Sequence, residues 1–279
     1  MCIRDSLWAD EAAQRAMVSA YVVTLEHDGE LQIWEPQAGR ILRDRRWAGH
    51  TLLRLDGGQL SRRPLPAWKE PGESRCLLRG TVQIKSDGSF SGQFTVQTSG
   101  LFVSPEKLRS GDAQKDRLAA LLRRVLPEAG VKSFSITALS PSQFAAEAEV
   151  SGPKLKQIND RHWLSLAEDG PLAAEVSLPL ETGLRRTPVR LVGPFEELIE
   201  LTIEWPTEWT LEVQPIEIAT TSSPWGELTQ SVATDGNRLK LTRRTLLARR
   251  ELSRAEFPEL RDLLNRLRAP AGRTLVFKP

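Results

Sequence analysis

Few side chains in this 279-residue chain could do chemistry, and they are thinly spread: Cys2 and Cys76, with His27, His50 and His162. A nucleophilic cysteine needs a histidine or a positive helix end to stabilise its thiolate. Cys76 instead shares its strand parity with Leu78, Val82 and Ile84, which points it inward, where cysteine behaves as a small hydrophobe. His27 falls beside a hairpin turn and reads as a solvated side chain. His162, in Asp160-Arg161-His162-Trp163, could pair with Asp160, but no Cys, His or acidic cluster around it has metal-ligand spacing. Glycine-rich phosphate loops, a Gly-x-Ser-x-Gly elbow and His-Glu-x-x-His are absent, so no metal and no cofactor are expected. Carboxylates are so plentiful that no pair stands out.

Tryptophan offers a different chemistry, since aromatic platforms on β-sheets stack on sugars and peptides. Trp205 shares a face with Leu201 and Ile203, and Trp209 with Leu211 and Val213, which marks both as core or inter-sheet residues. Trp225, in Ser223-Pro224-Trp225-Gly226, is the candidate binding residue and is expected to be exposed. The pairs Arg243-Arg244 and Arg249-Arg250 read as solvated strand and loop positions, with an acidic partner surface as the second reading.

The elements that must position these residues are mostly strands. Tyr21–Leu25 and Leu31–Trp34 flank Asp28-Gly29, a pair that tolerates the positive φ angles of a tight hairpin. Two strands alone are marginal in water, so the rest of that sheet must come from elsewhere. Leu7–Ser19 has helical composition with Asp10 as a possible cap. Thr51–Leu55 and Gln59–Ser61 flank Asp56-Gly57-Gly58, and Pro64, Pro66 and Pro71 make 62–72 a linker. The Arg75–Thr98 hairpin alternates cleanly about Asp87-Gly88. Asp112 can cap a helix over Ala113–Leu126 with a Leu118, Leu121, Leu122, Val125 stripe. Strands follow at Ser133–Leu139, Gln143–Val150, Lys154–Ile158, Trp163–Ala167 and Ala173–Leu178, with Asp169-Gly170 as a further turn. Pro188–Val192, Glu197–Trp205, Trp209–Val213, Glu227–Thr234 and Asn237–Leu247 continue the pattern, Asp235-Gly236 closing the last hairpin. Ser253 and Glu256 have capping-box spacing, Leu252 and Phe257 that of a hydrophobic staple, and Phe257, Leu260, Leu263, Leu264 and Leu267 form a buried stripe. Pro270 stops this helix before a short strand at Thr274–Phe277. The fold class is therefore mainly β (α+β): antiparallel β-sandwich domains, each with a packed helix, at 73–181 and 182–279.

Hydrophobic residues make up 40% and charged residues 27%, the balance of a globular protein with proper cores. No apolar run approaches the ~20 residues needed to span a bilayer, and no signal peptide starts the chain. Net charge is +2 with arginines scattered in small groups, which disfavours nucleic-acid binding. Met1–Ser6 looks like a translated sequencing-adapter remnant of a metagenomic reading frame and is set aside. That leaves Cys76 alone, without an intrachain disulfide partner.

The order of segments resembles a known family. The hairpin ending in Trp34-Glu35-Pro36, then Gly49-His50-Thr51-Leu52-Leu53-Arg54-Leu55, the proline-rich crossing and the Thr81–Gly92 hairpin resemble the region C-terminal to the catalytic cysteine of bacterial transglutaminase-like proteins. The ending is similar too: Val176-Ser177-Leu178-Pro179, Thr187-Pro188-Val189, Ile203-Glu204-Trp205-Pro206 and Ser253–Leu267. These are multidomain proteins with a papain-like core between uncharacterised β-rich domains. The resemblance implies that 7–61 is the C-terminal remnant of such a core. It also implies a cysteine, histidine and aspartate triad, whose cysteine would lie upstream. The histidine position falls at Ser19-Ala20-Tyr21, and the aspartate position holds Glu35 before Pro36. With no histidine there to orient, the remnant is expected to be catalytically dead.

Two functions are expected on these grounds. The first is a truncated, non-catalytic accessory region that supports an upstream transglutaminase-like core, in the periplasm or cell envelope as the family usually is. The second is a β-sandwich module that binds an envelope polymer or protein, which an exposed Trp225 would favour.

Overall fold

The computed structural model describes the backbone of 2–4, 20–21, 23–27, 30–35, 40–42, 51–56 and 59–64. It further describes residues 74–103, 108, 110–140, 142–166, 188–190, 194–219, 223–249 and 251–279. The chain divides into two compact units, Met1–Lys69 and Glu70–Pro279. The expected helix at Leu7–Ser19, the strand at Ala173–Leu178, the Asp169-Gly170 turn and His50 lie outside the described residues.

In the first unit, β1 (Cys2–Arg4), β2 (Ala20–Tyr21), β6 (Thr51–Asp56) and β7 (Gln59–Pro64) form one sheet in the order β2-β1-β6-β7. Cys2–Arg4, set aside on its sequence, thus takes a ladder position between Ala20–Tyr21 and Thr51–Leu53. The expected hairpin is present: β3 (Val23–His27) pairs with β4 (Glu30–Glu35) in a register from Val23 opposite Trp34 to His27 opposite Glu30. A third strand, β5 (Arg40–Leu42), extends it, with Glu35 opposite Arg40. Strand β7 runs past the expected linker boundary, its last pair setting Pro64 opposite Thr51. Proline is tolerated there because β7 is an edge strand and the ladder ends at that pair.

The second unit is built on a seven-stranded sheet, ordered β10-β11-β9-β8-β15-β18-β17. Its strands are β8 (Arg75–Ile84), β9 (Phe90–Ser99), β10 (Gly130–Ser140), β11 (Gln143–Gly152), β15 (Phe195–Glu204), β17 (Gly226–Asp235) and β18 (Arg238–Leu247). Every neighbouring pair is antiparallel except β8 and β15. That parallel pair joins the strands expected in two separate sandwiches, so 73–181 and 182–279 share one sheet. A second sheet, β12-β13-β20-β16, is formed by Lys156–Ile158, Arg161–Ser165, Thr274–Lys278 and Thr210–Val213, and a short pair joins β14 (Val189–Arg190) to β19 (Glu251–Leu252). The molecule is mainly β with sandwich-like packing, as the alternation predicts.

Alternation sets the core. Strand β15 buries every second residue from Phe195 to Ile203, and β8 buries Cys76, Leu78, Val82 and Ile84. Gly80 keeps the parity but carries no side chain because the Phe94 ring occupies its place: a Cβ there would lie 2.2 Å from Phe94 Cε1. The β8–β9 turn is held by Asp87 Oδ1, which accepts from Ser89 N at 2.9 Å and Ser89 Oγ at 2.7 Å, with Gly88 at φ +83°.

Helix α1 (Gly111–Arg123) differs slightly from the expectation. Its cap is Ser110, whose Oγ accepts from Ala113 N at 3.2 Å, while Asp112 sits in the first turn, where its charge favours the positive helix end. Leu118, Leu121 and Leu122 form its buried face. Helix α2 (Phe257–Arg268) buries all five stripe residues. The Ser253 amide donates to Glu256 Oε2 at 2.8 Å, one half of the capping box, and the helix proper begins at Phe257. Its C-terminus gives way to Pro270–Gly272 and then β20.

Candidate functional site

Register places Cys76 in a cross-strand row: Thr98 opposite Cys76, Cys76 opposite Glu197, and Glu197 opposite Thr245. All four are buried on the inward face of the large sheet. Burial pushes the Cys76 thiol well up, Glu197 pushes it further, and Arg117 and Arg124 act weakly the other way. A thiol held neutral in this way is not a nucleophile. His162, the described histidine of the second unit, stands on a different sheet.

Arg243 corrects the reading of a solvated arginine pair. It is 3% exposed, because it shares inward parity with Leu239, Leu241 and Leu247, whereas Arg244 points out. Burial lowers its pKa to about 10, with Glu197 pulling the other way. Its Nε and Nη2 donate to Gln230 Oε1, and Gln230 Nε2 donates to the carbonyls of Ile216 and Gly272, both at 2.9 Å. The signal was present in the strand's parity, which outweighs the polarity of the residue type once both neighbours at i ± 2 are leucine or threonine. Outward-facing Arg244 pairs with Glu196 at 3.2 Å and Glu227 at 2.9 Å.

Trp225 is a second correction: it is fully buried rather than exposed. Its Nε1 donates to Glu259 Oε2 of α2 at 3.1 Å, the same oxygen that accepts from Ser223 Oγ at 2.6 Å. The helix therefore caps the Ser223–Gly226 turn, and Gly226, at φ +143°, packs so close to Leu246 that a Cβ would lie 1.9 Å from its carbonyl oxygen. Trp205 and Trp209 are buried as expected, the first donating from Nε1 to the Trp209 carbonyl at 3.2 Å. His162 stacks on Trp209, ring centroids 4.4 Å apart and planes 6° from parallel. Asp160 pairs with Arg161 at 2.6 Å and not with His162, while Arg161 also reaches Glu212. With Trp205, Trp209 and Trp225 inside, these residues offer no aromatic platform.

The remaining sequence candidates are placed by backbone alone. Tyr21 lies on β2, and Glu35 ends β4 in the other sheet of the first unit. Among the described residues no three His, Cys, Asp or Glu side chains gather as metal ligands do, and no described helix is long and apolar enough to cross a membrane.

Sequence reasoning did not single out the outward face of the large sheet. There an open trough of about 310 Å³ is lined by Thr81, Gln83, Ser91, Gln93, Lys132 and Glu149, along with Gly92 and Val150. Register runs Thr81 opposite Gln93, Gln93 opposite Glu149, and Glu149 opposite Ser133.

Comparison with known proteins finds a match to the family model described as a domain of unknown function with a solved structure, DUF3858, over residues 170–277. No curated protein matches the chain. Among solved structures, a candidate protease from Parabacteroides distasonis is similar at 16% identity and a TM-score of 0.44, over 95% of this chain. The chain spans 36% of that protein's length. The C-terminal part of the chain thus carries similarity to a domain family whose function is unknown.

Proposed function

We propose that the chain is a non-catalytic, β-rich accessory region of a transglutaminase-like protein, supporting a papain-like core in the periplasm or cell envelope. The observation that carries this reading is the setting of Cys76, a neutral thiol sealed between Thr98 and Glu197 with no histidine among the described residues of its sheet. Other groups with chemical potential among the described side chains are spent on structure. Arg243 and Gln230 tie strands to loops, Glu259 holds Trp225, and His162 stacks on Trp209. The resemblance of 7–61 to the end of a transglutaminase-like core supports the family context, and the DUF3858 match supports a domain of unknown function over 170–277.

The test is to incubate the full chain with a glutamine-containing peptide and an amine acceptor, or with hydroxylamine, and to follow ammonia release. No release above the protein-free blank is expected. Turnover that disappears in Cys76→Ala would overturn the reading.

A further inference from the structure

We infer that the Asp235-Gly236 step, at the tip of the β17–β18 hairpin, is a self-modification site: its aspartate cyclises onto the glycine amide and reopens as isoaspartate, without an enzyme. Two Asp-Gly steps lie wholly among the described residues, and the fold gives them opposite settings.

Asp87-Gly88 is locked. Asp87 Oδ1 accepts from Ser89 N at 2.9 Å and from Ser89 Oγ at 2.7 Å, which ties the carboxylate to the residue beyond the glycine. The Gly88 amide is already engaged, donating to the Lys85 carbonyl at 2.8 Å, and the Gly88 carbonyl accepts from Leu155 N at 2.8 Å. Gly88 is also buried, so close to His162 that a Cβ would lie 3.3 Å from its Cε1.

Asp235-Gly236 has none of these restraints. Both residues are exposed, and a Cβ on Gly236 would meet nothing within 4 Å. No described residue bonds the Asp235 carboxylate or accepts from the Gly236 amide. Gly236 takes φ +55° in a two-residue turn closed by Asp235 opposite Arg238. Strand backbone holds Asp235 away from the ring-closing torsion, so the reaction waits for that last rung to open. Terminal rungs are where local opening costs least. Beyond the glycine, Asn237 Nδ2 donates to the Trp205 carbonyl at 2.6 Å, and the Asn237 carbonyl accepts from Trp205 N at 3.1 Å. These bonds fix Asn237, and neither engages the reacting amide.

The chemistry balances with water alone. The Gly236 amide nitrogen adds to Cγ of Asp235 in its carboxylic acid form. An N–Cγ bond forms, and the amide proton leaves with the acid's OH as water, closing a five-membered succinimide. Glycine suits this step because no side chain crowds the nitrogen. Water then adds to either ring carbonyl. Opening at Cγ restores aspartate. Opening at the original main-chain carbonyl breaks its bond to nitrogen, routes the chain through Cβ and Cγ, and leaves the old carbonyl as a free carboxylate. The main chain is then one atom longer, so the two-residue turn cannot keep both the Arg238 rung and the Trp205 contacts.

The test is storage of the folded full chain in mildly acidic buffer at body temperature, then digestion and mass spectrometry with electron-transfer fragmentation, which tells isoaspartate from aspartate at each position. Isoaspartate is expected to accumulate at Asp235 about tenfold faster than at Asp87 or more, the weight of one charge-assisted hydrogen bond. Ser89→Ala, which removes one of the bonds to Asp87, should raise the rate at Asp87 about two- to tenfold, with circular dichroism verifying the fold. In guanidinium chloride the two sites should react alike, because only the fold separates them. No isoaspartate at Asp235 in the folded chain, equal rates at the two sites, a difference that persists in denaturant, or an unchanged Asp87 rate in Ser89→Ala would each overturn the proposal.

Discussion

Arg243 donates from both Nε and Nη2 to the Oε1 of Gln230, at 3.0 and 2.9 Å, inside the sandwich. The arrangement couples two sheet strands to the loops at Ile216 and Gly272, since the amide end of the same Gln230 donates to both carbonyls. Removing the arginine leaves the buried Oε1 of Gln230 without its donors, which costs ~1–3 kcal/mol. Arg243→Met is therefore expected to lower the urea midpoint by that order. Gln230→Ala, which abandons a cation and two carbonyls together, should be comparably severe. Equilibrium unfolding followed by far-UV circular dichroism checks both.

Cys76 should be chemically silent until the protein opens. In a Cys2→Ser background, the thiol reagent DTNB is expected to leave the native protein unlabelled at pH 8 and to titrate one thiol in guanidinium chloride. Rapid labelling of the native state would contradict the burial that raises the thiol's pKa.

Gly80 tests the packing of the β8–β9 hairpin. A methyl group there collides with the Phe94 ring, which is itself buried and cannot swing away freely. Gly80→Ala should destabilise by ~1–3 kcal/mol, the range for overpacking a filled core. Recovery of stability in Gly80→Ala with Phe94→Leu, measured by thermal unfolding, would locate the strain in that one contact.

Glu259 links α2 to Trp225. Glu259→Ala leaves a buried indole N–H without its acceptor, at a cost of ~1–3 kcal/mol. Glu259→Gln keeps an acceptor in place and should lose less. Urea denaturation of the two variants ranks them.

Glu256 provides a pH dependence. Its carboxylate is held below the usual carboxylate range first by the backbone amide of Ser253, then by the Ser253 hydroxyl and by Arg249. A depressed folded-state pKa means stability that is present above the unfolded value, ~4.3, and lost as pH falls through the folded value. The difference in stability between wild type and Glu256→Gln should thus be constant near neutrality and shrink below about pH 4.3. Denaturant melts across that range measure it.

Local order was the most legible part of this sequence. The five apolar positions of α2 all face inward, and Ser253 and Glu256 make the predicted contact, because cap and stripe depend on neighbours within one or two turns. The hairpins at Asp87-Gly88 and Asp235-Gly236 were legible for the same reason: Gly88 and Gly236 take the positive φ their turns require. Residue type misled where parity and position ruled. Arg243 reads as solvent-facing but follows its leucine neighbours inward, and Trp225 sits in a turn that reads as exposed until α2 closes over it. The pairing of β8 with β15 had no local signature at all, and neither did the trough, whose wall comes from four strands.

That parallel pair has a consequence for how the protein can be cut. Arg79 and Glu200, bonded across it, are 121 residues apart in sequence, so the hairpin of β8 and β9 must keep its flank open until β15 arrives. The matched segment 170–277 begins after β8, β9, β10 and β11, and so omits four of the seven strands of its own sheet. Expressed by itself, that segment would present the bare apolar-backed edge of β15 to any strand in solution, a template for aggregation. The boundaries of the sequence family and those of the folding unit are different things in this protein.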